Sequence, residues 1–218
     1  MELYFAPMTC SLASRIALYE AGVEATYVQV DRVTKRLADG SDYREIHPLG
    51  MVPALRLDDG RLLTETAAVL QHVASLRPEA GLAPDGPERA RLHQWLGFVG
   101  GELHKVVFYP LFHPDSSDAV KRHACALAPL RLAYADRHLE GRDHLLDRFS
   151  VADAYLFTVL GWMIATPLSL DDYPALKAYH RRLLGRPSVA RAVAEERPLY
   201  LAAQGVQPSS SSSTRASP

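Results

Sequence analysis

The N-terminal part of the chain alternates short apolar runs with a helical stripe. Leu3–Phe5 is an apolar run of strand length, and residues 25–30 alternate between apolar and polar side chains like a half-buried strand. Between them, Leu12, Ile16 and Tyr19 recur on one face of a helix. This order predicts a β-α-β unit with parallel strands and a right-handed crossover.

The same pattern continues with a short helix, two strands and a second long helix. The short helix is predicted near residues 41–46. Val52–Pro53 opens an apolar strand that ends at Leu57, Asp58–Gly60 is a hairpin turn signal, and residues 61–63 supply the partner strand. A helix with an apolar stripe follows directly. Residues 1–77 are therefore predicted to form a β-α-β-(α)-β-β-α domain.

The rest of the chain has helical periodicity. Residues 78–86 are rich in Pro and Gly and are predicted to be a linker, and residues 87–204 are predicted to form an all-helical domain. The serine-rich stretch 205–218 is low in complexity and is predicted to be disordered. The fold class is α/β plus all-α. Within the helical part we expect helices at residues 118–139, 174–184 and 188–195, and a proline-bearing break at 109–117.

One capping motif is clear in the helical part. Ser150 at the N-cap and Asp153 three residues later form a variant of the capping box, with Asp in place of the usual Glu or Gln. The helix that follows is apolar nearly all round, so we expect it to be the buried helix of this domain. Ser150 and Asp153 are therefore assigned structural roles.

The first helix of this part carries an unusual strip of glycines. Gly97, Gly100, Gly101 and His104 lie on one side of it, at spacings typical of a regular helix. Each glycine costs a helix about 1 kcal/mol relative to alanine, and such a helix usually needs close approach by another backbone or a ligand. His104 and Lys105 could reach a bound molecule; a hydrogen-bonded His and a solvated Lys are the alternative.

Cys10 lies at the start of the first helix. Unpaired backbone N–H groups and the helix dipole favour an anion there. Cys10 could therefore have a lowered thiol pKa, or its surroundings could stabilise the thiolate of a ligand at the same place. The alternative is a small buried residue, because free cysteine is among the most buried residue types.

Other candidate positions lie where strands and helices begin. A cis peptide between Val52 and Pro53 would leave the N–H and C=O of Val52 free to pair with a ligand backbone, although a trans proline is the commoner arrangement. Thr64 is a plausible N-cap for the following helix. Free N–H groups at Thr66 would make an anion site, and Glu65 could simply complement the helix dipole.

Composition narrows the classes of function. The formal net charge of −1 provides no field of one sign, so neither nucleic acid nor a membrane is expected as a partner. The two cysteines, Cys10 and Cys125, form no close pair, which argues against a disulfide scaffold or a zinc ribbon, and Cys125 is expected in the core. We expect no metal and a cytoplasmic location, since no export signal or membrane span is visible.

These features together resemble the glutathione S-transferases, and most closely their bacterial beta class. The resemblance implies a thioredoxin-like N-terminal domain, a C-terminal helical bundle, glutathione as co-substrate and a homodimer. The matching segments follow one another in the right order over about residues 1–200: Thr9–Leu12, Asp42–Tyr43, His47–Gly50, Val52–Pro53, Leu57–Gly60, Leu63–Glu65, Gln94–Trp95, Glu102–Lys105 and Ser150–Asp153.

The resemblance also implies roles around the reacting sulfur. Cys10 would lie beside the glutathione sulfur and could form a mixed disulfide with it. Val52, before a structurally important cis Pro53, would pair its backbone with the cysteinyl part of the peptide. His104 and Lys105 would line the thiol and a second, hydrophobic substrate site.

The charged ends of glutathione imply three further contacts. Lys35 would meet the glycyl carboxylate, Glu65 the γ-glutamyl ammonium, and Thr66 the γ-glutamyl carboxylate at the helix start. The charges match, because glutathione carries two carboxylates and one ammonium.

The chain departs from the beta-class pattern near the ligand. Phe5 stands where the pattern often has a tyrosine, which removes a hydroxyl near the sulfur. Gly97 and Gly101 stand where the pattern often has Asn and Ser or Thr. Gly101 is kept as a ligand-contact position, with the polar contact missing or replaced by water.

The implied function is detoxification by a glutathione transferase. The enzyme would bind reduced glutathione and transfer its thiolate to an electrophilic, largely apolar small molecule, with thiol–disulfide or peroxide chemistry through Cys10 as an added activity. One alternative is a glutathione-dependent dehalogenase or isomerase that uses the same site. The other is a non-catalytic scaffold or ligand carrier that keeps the fold.

Overall fold

A four-stranded sheet organises the N-terminal domain of the computed structural model, which describes residues 1–205 of the 218-residue chain. β1 runs parallel to β2 and antiparallel to β3, and β3 runs antiparallel to β4. The predicted β-α-β unit and hairpin are confirmed. After Gly205, the stretch predicted to be disordered lies outside the described residues. The spatial order is β2-β1-β3-β4, with β1 at Glu2–Phe5, β2 at Thr26–Gln29, β3 at Ala54–Arg56 and β4 at Leu62–Thr64.

Two helices, α1 (Ser11–Ala21) and α2 (Thr66–Leu76), complete the thioredoxin-like arrangement. They pack against each other and bury their apolar stripes in one core with β1 and β3. α1 ends at Gly22, whose φ of 61° lies in the left-handed region that favours glycine. A 3-10 helix at Tyr43–Glu45 occupies the place of the predicted short helix.

The N-terminus of α2 differs from the prediction. Glu65, not Thr64, is the N-cap residue, and its φ of 68° lies in the left-handed region that non-glycine residues rarely adopt. Within residues 1–205, the Glu65 side chain makes no capping hydrogen bond. Propensity favours Thr64 as a cap, but Thr64 is used as the last residue of β4.

The C-terminal domain is helical. The helix at residues 118–139 and the one at 174–184 have the predicted bounds, whereas the last helix runs well past the predicted 188–195. The predicted break at 109–117 is shorter than expected because its first turn is helical. The helices are α3 (Glu88–Gly97), a π-helix (Phe98–Phe108), α4 (Tyr109–Phe112), α5 (Asp118–Leu139), α6 (Val151–Gly161), α7 (Pro174–Leu184) and α8 (Pro187–Ala203).

The glycine-bearing helix widens into the π-helix, which the sequence did not predict. The N–H of Tyr109 donates to the carbonyl of His104, five residues earlier. π-helical geometry is rare and often marks functional sites. The wider turn means that the regular-helix spacing assumed for Gly97, Gly101 and His104 is wrong from Phe98 onwards.

α6 is the buried centre of the helical domain, as predicted. Asp153 accepts hydrogen bonds from the Ser150 N–H and hydroxyl, both at 2.8 Å, so the capping box is confirmed. The same carboxylate accepts from the Leu145 N–H at 2.8 Å and from the Tyr179 hydroxyl at 2.9 Å. Cys125, on α5, is only partly buried, so its predicted place in the core is wrong.

The two domains share one hydrophobic core, and polar contacts fix the loop before Cys10 against the helical domain. The predicted linker contains a 3-10 turn at Pro78–Ala80, and the Val151 N–H donates to the carbonyl of buried Leu82 at 3.0 Å. Trp162 at the end of α6 donates its indole N–H to the Met8 carbonyl at 2.9 Å. Residues around Cys10 are therefore held from both domains.

Candidate active site

Cys10 lies where the loop after β1 meets α1. It is the N-cap residue of α1, and only 8% of it is exposed. Its thiol donates a hydrogen bond to the carbonyl oxygen of Val52, 3.0 Å away. The neighbouring hydroxyls of Thr9 and Ser11 donate instead to the Ala6 carbonyl of their own loop, at 2.9 and 3.1 Å. The thiol is therefore the group of this loop that faces the start of β3.

The pKa of the Cys10 thiol is raised, so the predicted lowering is wrong. Burial is the largest cause, and the Glu65 carboxylate adds to it. The nearby Thr66 hydroxyl and the positive charge of Lys105 lower this pKa but do not outweigh burial. Cys10 is therefore a neutral thiol at pH 7 and a small buried residue, as the alternative interpretation predicted. The interpretation that its surroundings suit the thiolate of a ligand stays a prediction.

The peptide between Val52 and Pro53 is cis, as the sequence suggested. The Val52 carbonyl is not free, however, because it accepts the Cys10 thiol. Among the described residues, the Val52 N–H has no hydrogen-bond acceptor. Since a carbonyl oxygen has two lone pairs, an extended ligand backbone could still pair with both groups of Val52.

The start of α2 is a second open set of donors. Thr66 is buried, with 6% exposure, and its hydroxyl lowers the pKa of both the Cys10 thiol and the Tyr155 hydroxyl. The exposed Glu65 precedes it in a strained backbone conformation. The uncapped N–H groups of the first turn and the positive end of the helix dipole suit a carboxylate, and Glu65 suits an ammonium.

A cationic corner lies in the loop between β2 and β3. Lys35 has a φ of 60°, is half buried and packs its aliphatic stem against Gly50. Burial lowers the Lys35 pKa, and the nearby Arg32 and Arg44 lower it further. An incoming carboxylate would relieve this repulsion. Gly50 is two residues before Val52, so this corner adjoins the cis peptide.

His104 and Tyr155 form a close polar pair. The His104 Nδ1 lies 2.7 Å from the Tyr155 hydroxyl. Burial, with a smaller effect of Lys105, lowers the pKa of His104 to about 4, so the imidazole is neutral at pH 7. Burial raises the pKa of Tyr155, and the nearby Cys10 raises it further. The pair therefore offers neutral hydrogen-bonding groups next to Cys10.

Aromatic side chains flank this pair on the side of the helical domain. The His104 ring packs edge-on against Trp162, with ring centroids 4.9 Å apart, and Phe112 contacts the same indole at 6.2 Å. The Lys105 ammonium lies 4.9 Å from the centre of the Tyr109 ring. These contacts place aromatic side chains beside both His104 and Lys105.

A buried ion pair supports the loop that carries Cys10. The Met8 N–H donates to Glu196 Oε2 at 2.7 Å, and Met8 has a φ of 60°. Glu196 is fully buried, and its Oε1 lies 2.8 Å from the Arg15 Nε. Burial raises the pKa of Glu196 to about 7. α1 and α8 thus fix the backbone two residues before Cys10.

Two absences within residues 1–205 bear on the class of site. No group of three or more His, Cys, Asp or Glu side chains in this range is arranged to hold a metal ion. No helix in this range is both long enough and apolar enough to cross a bilayer.

Comparison with known proteins matches both domains. Residues 7–76 match the family model for the glutathione S-transferase N-terminal domain, and residues 102–187 match the one for the C-terminal domain. Glutathione S-transferase GstA of Escherichia coli O157:H7 is 42% identical over 199 residues, which is 90% of this chain and 98% of that protein. The chain belongs to the glutathione S-transferase family.

Solved structures of transferases agree with this placement. A sphingomonad glutathione S-transferase complexed with glutathione is 42% identical and superposes with a TM-score of 0.86, covering 90% of this chain and 99% of its own. A bacterial beta class glutathione S-transferase of Sphingomonas chungbukensis is 43% identical, also with a TM-score of 0.86, covering 90% and 98%. The resemblance to the beta class is confirmed.

The structure of this transferase brings most of the predicted site residues together. Thr66 and Lys105 lower the pKa of the Cys10 thiol, and Glu65 raises it. The Val52 carbonyl accepts the hydrogen bond that this thiol donates. Gly101 is exposed, and within the described part of the chain no atom beyond its own stretch of helix lies within 4 Å of a Cβ placed there. Lys35 lies at the neighbouring cationic corner, and Ser150 and Asp153 belong to the buried cap of α6.

Sequence reasoning missed Tyr155. It was predicted only as part of a buried apolar helix, and it is indeed buried there. The available signal was its hydroxyl, because a buried tyrosine usually needs a hydrogen-bond partner. That partner, His104, comes from the π-helix, more than fifty residues earlier in the sequence.

Proposed function

We propose that this protein binds reduced glutathione beside Cys10 and transfers its thiolate to an electrophilic, largely apolar small molecule. The observation that carries the proposal is the Val52 N–H at the cis Val52–Pro53 peptide, which has no acceptor among residues 1–205 and lies next to a buried, neutral Cys10. An extended cysteinyl residue paired with Val52 would place its own thiol beside Cys10.

The charged groups around this edge fit the two ends of glutathione. The N-terminus of α2 at Thr66 suits the γ-glutamyl carboxylate, and Glu65 suits the adjacent ammonium. Lys35 on the other side of the cis peptide suits the glycyl carboxylate. Binding would order a peptide across the site, with its sulfur between Cys10 and the aromatic surface of the helical domain.

The reaction needs a thiolate and a nearby electrophile. On binding, the glutathione thiol gives its proton to solvent, and the surrounding donors stabilise the anion. The sulfur then attacks the electrophilic carbon, a carbon–sulfur bond forms, and the leaving group departs with its bonding electrons. Cys10 remains a thiol throughout, because burial keeps it protonated.

The second substrate would lie on the aromatic surface. Trp162, Phe112 and Tyr109 provide apolar contact, and His104 lies where that surface meets the sulfur. Lys105 at the edge would stabilise charge on a departing group. The open space beside Gly101 leaves room for ligand or water. Holding both reactants in one cleft supplies part of the rate acceleration.

We further propose a cytoplasmic homodimer, with residues 1–77 as the glutathione-binding domain, 78–86 as the linker and 87–204 as the helical domain. Support for the dimer comes from an apolar cleft between the π-helix and α5 that includes Phe98 and Leu130, the latter 73% exposed. Equilibrium sedimentation of the purified chain would show twice the chain mass.

The decisive experiment is a calorimetric titration of reduced protein with reduced glutathione. We expect one site per chain, and we expect Glu65→Ala to weaken binding roughly 10- to 100-fold, the loss expected for a hydrogen bond to a charged group. Glu79→Ala, an exposed glutamate of the linker, is the matched control and should leave the affinity unchanged. Equal affinity of the two variants would refute the role of Glu65, and absence of binding would refute the proposal.

A further inference from the structure

The hydroxyl of Tyr155 lies where three elements meet. It is 2.7 Å from His104 Nδ1 of the π-helix, and it is close enough to Thr66 of α2 and to Cys10 of α1 to interact with both. A Cβ built on Gly100 would lie 3.5 Å from this hydroxyl, so the phenol is seated against the glycine strip. The helical domain therefore places the Tyr155 hydroxyl close to Cys10.

Other hydroxyls near the end of β1 are already committed. Phe5 has none, and the Tyr4 hydroxyl is turned away to Glu2, 3.0 Å distant. The Thr9 and Ser11 hydroxyls donate to the Ala6 carbonyl. Thr66 and Tyr155, by contrast, place hydroxyls close to the Cys10 thiol.

Hydrogen-bond accounting allows a direction of the His104–Tyr155 bond that leaves the Tyr155 proton for the sulfur. Neutral imidazole has one N–H, and a phenol has one O–H and can also accept. If Nδ1–H donates to the Tyr155 oxygen, the Tyr155 proton is free to point towards the sulfur. The two donors then form a chain in which each bond polarises the next.

We propose that Tyr155 is a further catalytic residue of this transferase: its hydroxyl donates a hydrogen bond to the glutathione thiolate, and the His104 Nδ1–H donates to the Tyr155 oxygen. The inference rests on the function proposed above, because it requires the sulfur beside Cys10. Tyr155 contacts the reacting atom, whereas His104 is a positioning residue that acts through Tyr155.

The charges that face this hydroxyl are few. Cys10 is a neutral thiol and His104 a neutral imidazole, so neither competes as an ion at pH 7. At the Cys10 thiol, the charge of Lys105 favours the thiolate and the charge of Glu65 opposes it. A neutral donor held in a largely buried place stabilises an anion more strongly than the same group would in water.

The test measures the pKa of the bound glutathione thiol by its ultraviolet thiolate absorbance as a function of pH. In Tyr155→Phe we expect this pKa to rise by about 1, which means roughly tenfold less thiolate at neutral pH, as for loss of one hydrogen bond to a charged group. The turnover number should fall about tenfold. The affinity for S-methylglutathione, which has no thiol, should stay within about twofold.

Two kinds of matched variant accompany it. Tyr200→Phe removes an exposed hydroxyl of α8 and should change nothing. His104→Asn keeps an amide N–H near the position of Nδ1, whereas His104→Ala removes the donor. We expect the pKa of the bound glutathione thiol in the Asn variant to lie between those in wild type and in the Ala variant. These two His104 variants test the hydrogen bonds from His104 through Tyr155 to the sulfur even if Tyr155→Phe does not fold.

The outcomes separate this inference from the proposed function. If wild type binds glutathione and the thiol pKa is the same in Tyr155→Phe, the role of Tyr155 is refuted and the transferase proposal stands. An equal loss of S-methylglutathione affinity would also refute it, because the hydroxyl would then shape the site without acting on the sulfur. No glutathione binding by wild type would refute both.

Discussion

Two helices of equal length begin in opposite ways. α2 and α6 each have 11 residues. α6 starts from Ser150 with its first N–H groups closed by the capping box and with Asp153 bound to four donor groups. α2 starts from Glu65 in a strained conformation without a side-chain cap among residues 1–205. The closed start stabilises the fold, and the open start is free to bind a ligand.

The closed start can be broken by Asp153→Ala. The substitution leaves the Ser150, Leu145 and Tyr179 donors buried without an acceptor, so we expect the free energy of unfolding to fall by about 3–5 kcal/mol. Urea unfolding would measure it. Asp153→Asn keeps one acceptor oxygen and should lose less. Asp171→Ala, at an exposed ion pair, should lose less than about 1 kcal/mol; comparable losses for Asp171 and Asp153 would contradict the comparison.

Glu65→Gly tests the other side of the comparison, the uncapped N-terminus of α2. Glycine adopts a φ of 68° without steric cost, so we expect stability to rise by roughly 1 kcal/mol. Glutathione affinity should fall at the same time, roughly 10- to 100-fold, because the ammonium loses its carboxylate partner. Thermal unfolding and calorimetry on one preparation measure both effects. A stability loss would show that Glu65 is a structural residue like Asp153.

These two starts also show how far the sequence could predict the site. Ser150 and Asp153 form a local motif, and every contact that defines the cap lies within a few residues, so it was predictable. The Glu65 conformation is set by the turn from β4 into α2, and local propensity favours Thr64 instead. Tertiary geometry overrides propensity where a ligand site is built.

The same limit explains the other departures. An apolar stripe predicts a helix but does not distinguish i+4 from i+5 hydrogen bonding, so the π-helix that carries His104 was missed. The helix-dipole argument for Cys10 had the right sign but ignored burial, which has the larger effect on the pKa of this thiol. Periodicity gave the bounds of α5, where burial and pattern agree.

A smaller effect is expected for the reactivity of Cys10. Because burial raises its pKa, its thiolate fraction at pH 7 is below that of an ordinary cysteine, and its alkylation by iodoacetamide should still be accelerating at about pH 8.5. A Cys125→Ser background isolates the signal. Lys105→Met should slow the reaction further at each pH, since that charge favours the thiolate. A rate that levels off near pH 7 would contradict a raised pKa and would favour disulfide chemistry through Cys10.

The smallest expected effect is at Gly97, at the junction of α3 and the π-helix. Its backbone is right-handed helical, with φ −63° and ψ −45°, and among the described residues no atom beyond its own stretch of helix lies within 4 Å of an added Cβ. Alanine there should raise the free energy of unfolding by about 0.5–1 kcal/mol, chiefly by restricting the unfolded chain. Gly81→Ala is the contrasting control: its φ of 67° and the Arg148 guanidinium 2.7 Å from the new Cβ should make it destabilising. A loss of stability in Gly97→Ala would mean that this glycine is required by a close contact with a ligand or a second chain, and the strip would then belong to the open, ligand-binding part of the molecule.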